Sequence, residues 1–164
     1  MIDVQILATG PEFLKRGFRG TKPVIEKLVR DAETEIKIFA YKLGPDMDLW
    51  ELIEEKLQQE NPVDITIILN VNEQTSVVQD KLYDLHKKFG KDGGKFHLID
   101  FEKIEGALLH AKVLVVDRKK VVIGSANFSW GGMVNHYELG VLIEGQPAWD
   151  IANLAKIFEQ KEVK

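Results

Sequence analysis

The sequence predicts an α/β sandwich in which a central mixed β-sheet is flanked by helices, and three observations carry that expectation. Apolar patterns of strand period and of helix period alternate along most of the chain, the order that builds a sheet with covering helices. Two short apolar runs, Val113 to Val116 and Val121 to Ile123, are separated only by a polar link from Asp117 to Lys120, which reads as an antiparallel hairpin. The chain has 164 residues, 45% of them hydrophobic. That is a common domain size with a core of its own, so residues 1–164 are expected to form a single domain.

Taken in order, Val4 to Ala8 is a short apolar strand. Thr21 before Lys22 and Pro23 reads as a helix N-cap with proline in the first turn, and Val24, Ile25, Leu28 and Val29 supply the helical stripe. Glu35 to Tyr41 alternates as a strand, Leu49, Trp50, Ile53 and Leu57 recur at helical spacing, and Val63 to Leu69, preceded by Pro62, is a further strand. Val78, Leu82, Leu85 and Phe89 mark the next helix. Gly90 to Gly94 is a loop, and Lys95 to Phe101 a strand. After the hairpin come a strand from Tyr137 to Ile143 and a closing helix whose apolar face holds Ile151, Leu154, Ile157 and Phe158. No linker, low-complexity tract or internal repeat interrupts this order.

Composition narrows the function classes. With no cysteine, neither a disulfide framework nor a thiolate metal site is available. The first residues include Asp3 and no basic stretch, so no signal peptide is expected, and no apolar run approaches the roughly 20 residues that span a bilayer. A cytoplasmic protein without a membrane anchor is the expectation. A net charge of −4 argues mildly against a protein coated with nucleic acid, although local basic patches suffice for binding. One lies between Lys87 and Lys95 and reads as a solvated helix end. The other, Arg118, Lys119 and Lys120, adjoins the hairpin and is a candidate for nucleic-acid contacts.

The chemistry concentrates between His110 and Asn127. His110 and Lys112 share one face of an extended segment about 7 Å apart, so both reach a single bound anion. Asp117 has the opposite parity and belongs to the hairpin turn. Gly124 ends the second hairpin strand, where it lets the backbone approach a ligand, and Ser125 and Asn127 offer short polar side chains at that same end. These residues form a phosphate site.

The pattern H-x-K-x4-D followed by G-S-x-N resembles the signature of the phospholipase D superfamily, met here by His110, Lys112, Asp117, Gly124, Ser125 and Asn127. Glu138, eleven positions beyond Asn127, fits the carboxylate that orients the family's histidine. Larger members carry two motif copies, whereas this chain has one and is similar to the small single-motif nucleases. The resemblance implies a homodimer whose two motifs make one composite site. It further implies a metal-independent phosphodiesterase, without cofactor, that cleaves nucleic acid as an endonuclease, with DNA the expected substrate. His110 would form a phosphohistidine, Lys112, Ser125 and Asn127 would hold the phosphate oxygens, and Glu138 would fix the tautomer of His110. The alternative it leaves open is a phospholipid hydrolase or phosphatidyl transferase.

The remaining candidates read more plainly. His86, His97 and His136 lack metal-ligand spacing and are expected as surface or edge residues. Trp50, Trp130 and Trp149 are core or subunit-interface residues, with Trp130 also placed to line a substrate groove.

Overall fold

A computed structural model of the chain describes residues 2–103 and 107–163. Its elements run β1 (Asp3–Thr9), α1 (Pro11–Lys15), β2 (Arg19–Gly20), α2 (Thr21–Asp31), β3 (Glu35–Phe39), α3 (Leu49–Leu57), β4 (Asp64–Leu69), α4 (Ser76–Phe89), β5 (Phe96–Asp100), β6 (Val113–Val116), β7 (Lys120–Gly124), β8 (Glu138–Glu144) and α5 (Gln146–Leu154). The strands make one eight-stranded sheet in the order β2-β1-β8-β7-β6-β3-β4-β5. β3, β4 and β5 are parallel, joined through α3 and α4, while β6, β7 and β8 run antiparallel to their neighbours. The mixed sheet expected from alternating periodicities is therefore present.

The alternation of the strands sorts their side chains onto two faces. Leu7, Ile36, Ile38, Ile65, Ile67, Leu114, Val122 and Leu142 point to one face, and the stripes of α2, α3 and α4 close over them as the main core. α4 is capped as its sequence suggests, with the Thr75 hydroxyl accepting from the Val78 amide at 3.4 Å. α2 departs from expectation. Its N-cap is Gly20 and Thr21 is already helical, with a buried side chain that does not cap. The short α1 and β2 carry too few residues for a periodic signal and were not anticipated.

α5 covers only part of the opposite face. Ala148 and Ala152 pack on Val115 and Val121, and the following 3-10 helix, Ala155–Lys161, brings Ala155 and Phe158 against Phe39, Ile68 and Ile99. Leu154 and Ile157, expected in the buried stripe, are exposed. Leu154 is the last residue of α5, and Ile157 lies in the 3-10 segment, where about 3.0 residues per turn in place of 3.6 rotates it outward. No helix among the described residues is long and apolar enough to cross a membrane.

The β6–β7 turn joins distant parts of the chain. Asp117 and Arg118 both take positive φ, 52° and 55°, as a type I′ turn requires. The Asp117 carboxylate accepts from the Thr34 amide and hydroxyl, both at 2.8 Å, and from the amides of Glu33 and Glu35. Burial alone would raise its pKa, but these hydrogen bonds prevail and hold it below the ordinary value.

Candidate active site

Parallel strands β3 and β4 end at the same edge of the sheet where β6 and β8 begin and β7 stops, so the segments beyond their tips converge. This is the edge at which open α/β sheets bind ligands. His110 and Lys112 lie on the extended segment just before β6. The Lys112 carbonyl accepts from the Gly124 amide at 3.3 Å, which carries the hairpin pairing on to the site.

Lys112 is nine-tenths buried, yet among the described residues no carboxylate lies within ion-pair distance of its ammonium. Its Nζ instead donates to the His110 carbonyl at 2.7 Å and sits 3.1 Å from His110 Nδ1. Burial lowers the Lys112 pKa, and the more distant Glu138 charge opposes that shift. A cation withdrawn from water with no counter-charge in contact is the electrostatic complement of an anion.

Ser125 and Glu138 meet across β7 and β8. The Ser125 hydroxyl donates to a Glu138 carboxylate oxygen and accepts from the Leu139 amide at 3.2 Å, while the Ser125 amide donates to the Leu139 carbonyl at 3.0 Å. Asn127 Oδ1 is buried without a hydrogen-bond partner. The π-turn Gly131–Asn135 packs directly on Asn127, and a Cβ on Gly132 would come within 2.3 Å of the Asn127 carbonyl oxygen. Trp130, beside it, is 60% exposed. Among the described residues no group of histidine and carboxylate side chains is arranged to hold a metal ion.

The structure gathers His110, Lys112, Ser125, Asn127 and Glu138 at one edge, with differences from the sequence reading. Within one chain no hydrogen bond joins Glu138 to His110 among the described residues. Its carboxylate engages Ser125, with His136 Nδ1 3.8 Å away. Gly124 makes its close approach to the next strand and not toward a ligand, since a Cβ there would lie 2.9 Å from Gly140 Cα and from the Leu139 carbonyl. Arg118, Lys119 and Lys120 sit at the far end of the hairpin, about 13 Å along the strands from the edge that holds His110 and Lys112. There Arg118 pairs with Glu35 at 2.7 Å and Lys120 with Glu144 at 3.3 Å. Proximity in sequence had put them beside the site, but the four residues of β6 carry them away from it.

The other aromatic and histidine residues also sort out. Trp50 is core, its indole donating to the Gly44 carbonyl at 2.7 Å, whereas Trp149 is half exposed. His86 is buried, contrary to its reading as a surface residue. His97 bridges Asp64 and Glu162, and His136 is exposed. Sequence reasoning missed Tyr41, whose ring lies 4.3 Å from that of His110 at a tilt of 38°. It missed Asn70 and Gln74, buried polar residues just beyond β4. The available signal was a polar side chain directly following the apolar end of a strand, Ile67 to Leu69.

These features match a known family. The model for the family described as cardiolipin synthase, PLD-like domain, matches residues 25–161, and the chain belongs to this phospholipase D-like family. The chain is 28% identical over 153 residues to the DISARM protein DrmC of Bacillus paralicheniformis, covering 92% of this chain and 61% of DrmC. It is 30% identical over 115 residues to the 5'-3' exonuclease PLD3 of Xenopus laevis, covering 70% of this chain and 22% of PLD3. It thus spans only part of the length of both relatives. In fold it is similar to the phospholipase D family member Nuc of Salmonella typhimurium, with a TM-score of 0.74, 20% identity and coverage of 99% and 97% of the two chains. Phosphatidylserine synthase of Haemophilus influenzae has the same fold at a TM-score of 0.72 and 18% identity, covering 99% of this chain and 40% of the synthase.

Proposed function

We propose that the protein is a metal-independent phosphodiesterase that cleaves nucleic acid, an endonuclease acting on DNA in the cytoplasm, through a composite site shared by two identical chains. The observation that carries this reading is the buried Lys112 ammonium, which has no carboxylate in contact among the described residues and stands beside His110. A phosphodiester supplies the missing negative charge. Exonuclease PLD3 among the relatives supports nucleic acid as the substrate class.

In the proposed chemistry, His110 attacks phosphorus, a P–N bond forms and the ester P–O bond breaks. His110 of the partner subunit donates a proton to the leaving oxygen. That histidine then removes a proton from water, whose oxygen displaces His110 and restores the free ring. Lys112 and the Ser125 and Asn127 side chains hold the nonbridging oxygens as charge builds on them. Glu138, engaged by Ser125 within its own chain, is assigned to orienting His110 of the partner subunit across the two-fold axis. Trp130 is read as lining the substrate groove.

The dimer reading has support from the sheet face that α5 leaves open. There Ile2, Val4, Ile6 and Leu139 are each half exposed or more, an apolar strip beginning next to Glu138. A second copy is its proposed cover.

Incubation with plasmid DNA and with phospholipid vesicles in parallel, each with excess EDTA, tests the substrate and the metal independence together. Plasmid cleavage that survives chelation is expected. Headgroup release from vesicles with intact plasmid would favour the lipid reading, to which the cardiolipin synthase family description and the phosphatidylserine synthase fold lend weight. Mixing wild type with His110→Ala tests the composite site. Activity should fall as the square of the wild-type fraction, and a linear decline would refute the shared site.

A further inference from the structure

Two buried amides between β4 and His110 take no part in that chemistry. Asn70 and Gln74 are 2% and 6% exposed, and primary amides are costly to bury unless they are hydrogen-bonded. Each binds backbone on a different side of His110. Asn70 Oδ1 accepts from the Leu109 amide at 2.9 Å, immediately before the histidine. Gln74 Oε1 accepts from the Leu43 amide at 3.1 Å, and its Nε2 donates to the carbonyls of Tyr41 and Asn70 at 2.8 and 3.0 Å. The segments so fixed bring two rings together, Tyr41 on His110 at 4.3 Å. The Tyr41 ring also lies 5.1 Å from Lys112 Nζ.

We propose that Tyr41, held in place by Gln74 and Asn70, is the positioning residue for His110, an aromatic support that fixes the imidazole plane and the Lys112 ammonium as one unit. The proposal rests on His110 being the nucleophile of the phosphodiesterase reading. His110 is exposed and precedes the regular pairing of β6, so without a support its ring turns among rotamers. Misplacing a reacting group by 1 Å costs on the order of 10²-fold in rate. Tyr41 supplies the support through a ring contact, and the ring also offers its π-system to the ammonium. The phenol hydroxyl enters neither interaction.

The test compares Tyr41→Phe, Tyr41→Leu and Asn70→Ala by steady-state cleavage of a phosphodiester and by NMR of the His110 ring protons. Tyr41→Phe should keep kcat within about twofold, and Tyr41→Leu should lower it about 10- to 100-fold with KM changed less than about threefold. The His110 ring protons, displaced by the ring current of Tyr41, should keep their shifts in Tyr41→Phe and move in Tyr41→Leu. Asn70→Ala should move them less and lower kcat less. A Tyr41→Leu protein with wild-type kcat would overturn the proposal, whatever its His110 shifts, and unmoved His110 resonances would show that the ring contact itself is absent. Equal losses in Tyr41→Phe and Tyr41→Leu would also overturn it, since they would assign the role to the hydroxyl. A wild-type protein inert toward phosphodiesters would defeat the phosphodiesterase reading, while the NMR shifts would still report whether the Tyr41 ring holds its contact with His110 without turnover.

Discussion

The two ends of the β6–β7 hairpin carry the same residue types, a basic side chain, a carboxylate and a histidine, and treat them oppositely. At the turn, Asp117 is saturated by backbone amides and Arg118 lies against Glu35. Nearby, His97 sits between Asp64 at 3.4 Å and Glu162 at 2.9 Å. At the other end Lys112 is buried beside His110 with no carboxylate in contact among the described residues, and Asn127 Oδ1 has no partner. Charges compensated by their own neighbours hold the fold together. Charges left uncompensated cost stability and are worth that cost only if a ligand completes them.

The sharpest way to break this contrast is Lys112→Met, which keeps the length of the side chain and removes the charge. Cleavage should fall by roughly 10²- to 10³-fold, while thermal melting stays the same or rises because an uncompensated buried cation is gone. A large loss of stability would mean that Lys112 is structural. The wild-type pH profile adds a check. Burial holds the Lys112 pKa below its ordinary value, so the ammonium disappears, and the alkaline limb of activity falls, before the normal lysine range is reached. The folding cost of this group is present at neutral pH and fades as pH rises through its folded pKa.

Glu138→Gln should come next, lowering kcat by roughly 10- to 100-fold with substrate affinity nearly retained, since its proposed role is to orient a histidine. Unchanged turnover would remove Glu138 from the site. At the opposite end, Asp117→Ala should leave kcat per folded molecule intact and cost about 2 kcal/mol in urea unfolding, because several amides lose their acceptor. The Asp117 pKa is depressed, so this stability is present above the unfolded carboxyl value, near about 3.9, and is lost as pH falls through the lower folded value.

The smallest effect belongs to His97. The hydrogen bond that His97 donates to Asp64 raises its pKa, burial opposes this, and Glu162 adds to the rise. The pairs therefore stabilise fully below about pH 6.5 and lose their contribution as pH rises through the folded value. His97→Gln should cost less than about 1 kcal/mol at acidic pH and nothing at alkaline pH, read as melting temperature against pH. A pH-independent difference would show that the pairs are not the cause.

Much of this was legible in the sequence wherever one residue type repeats with a period. The stripes of α2, α3 and α4 and the strands from β3 to β8 follow from apolar spacing, because burial selects one face of each element. The closing helix was legible only in part, since α5 stops at Leu154, itself exposed, and a stripe continued at 3.6 residues per turn through the 3-10 segment puts Ile157 on the wrong side. Arg118 to Lys120 misled because adjacency in sequence is not adjacency in space when a strand intervenes. Gly124 misled because the need for a missing Cβ is the same whether a ligand or the neighbouring Gly140 fills the space.

By itself the sequence determined the residue types of the candidate site and the strand that aims them, since His110, Lys112, Ser125 and Asn127 lie at short spacings around one hairpin. Only the tertiary structure decided what surrounds them. Tyr41, Asn70 and Gln74 come to His110 from segments 36 or more residues away in sequence, Glu138 turns to Ser125, and Lys112 is left without a counter-charge. Each of these depends on which strand tips the sheet order brings side by side, and strand order arises from packing between distant segments, which no local pattern encodes.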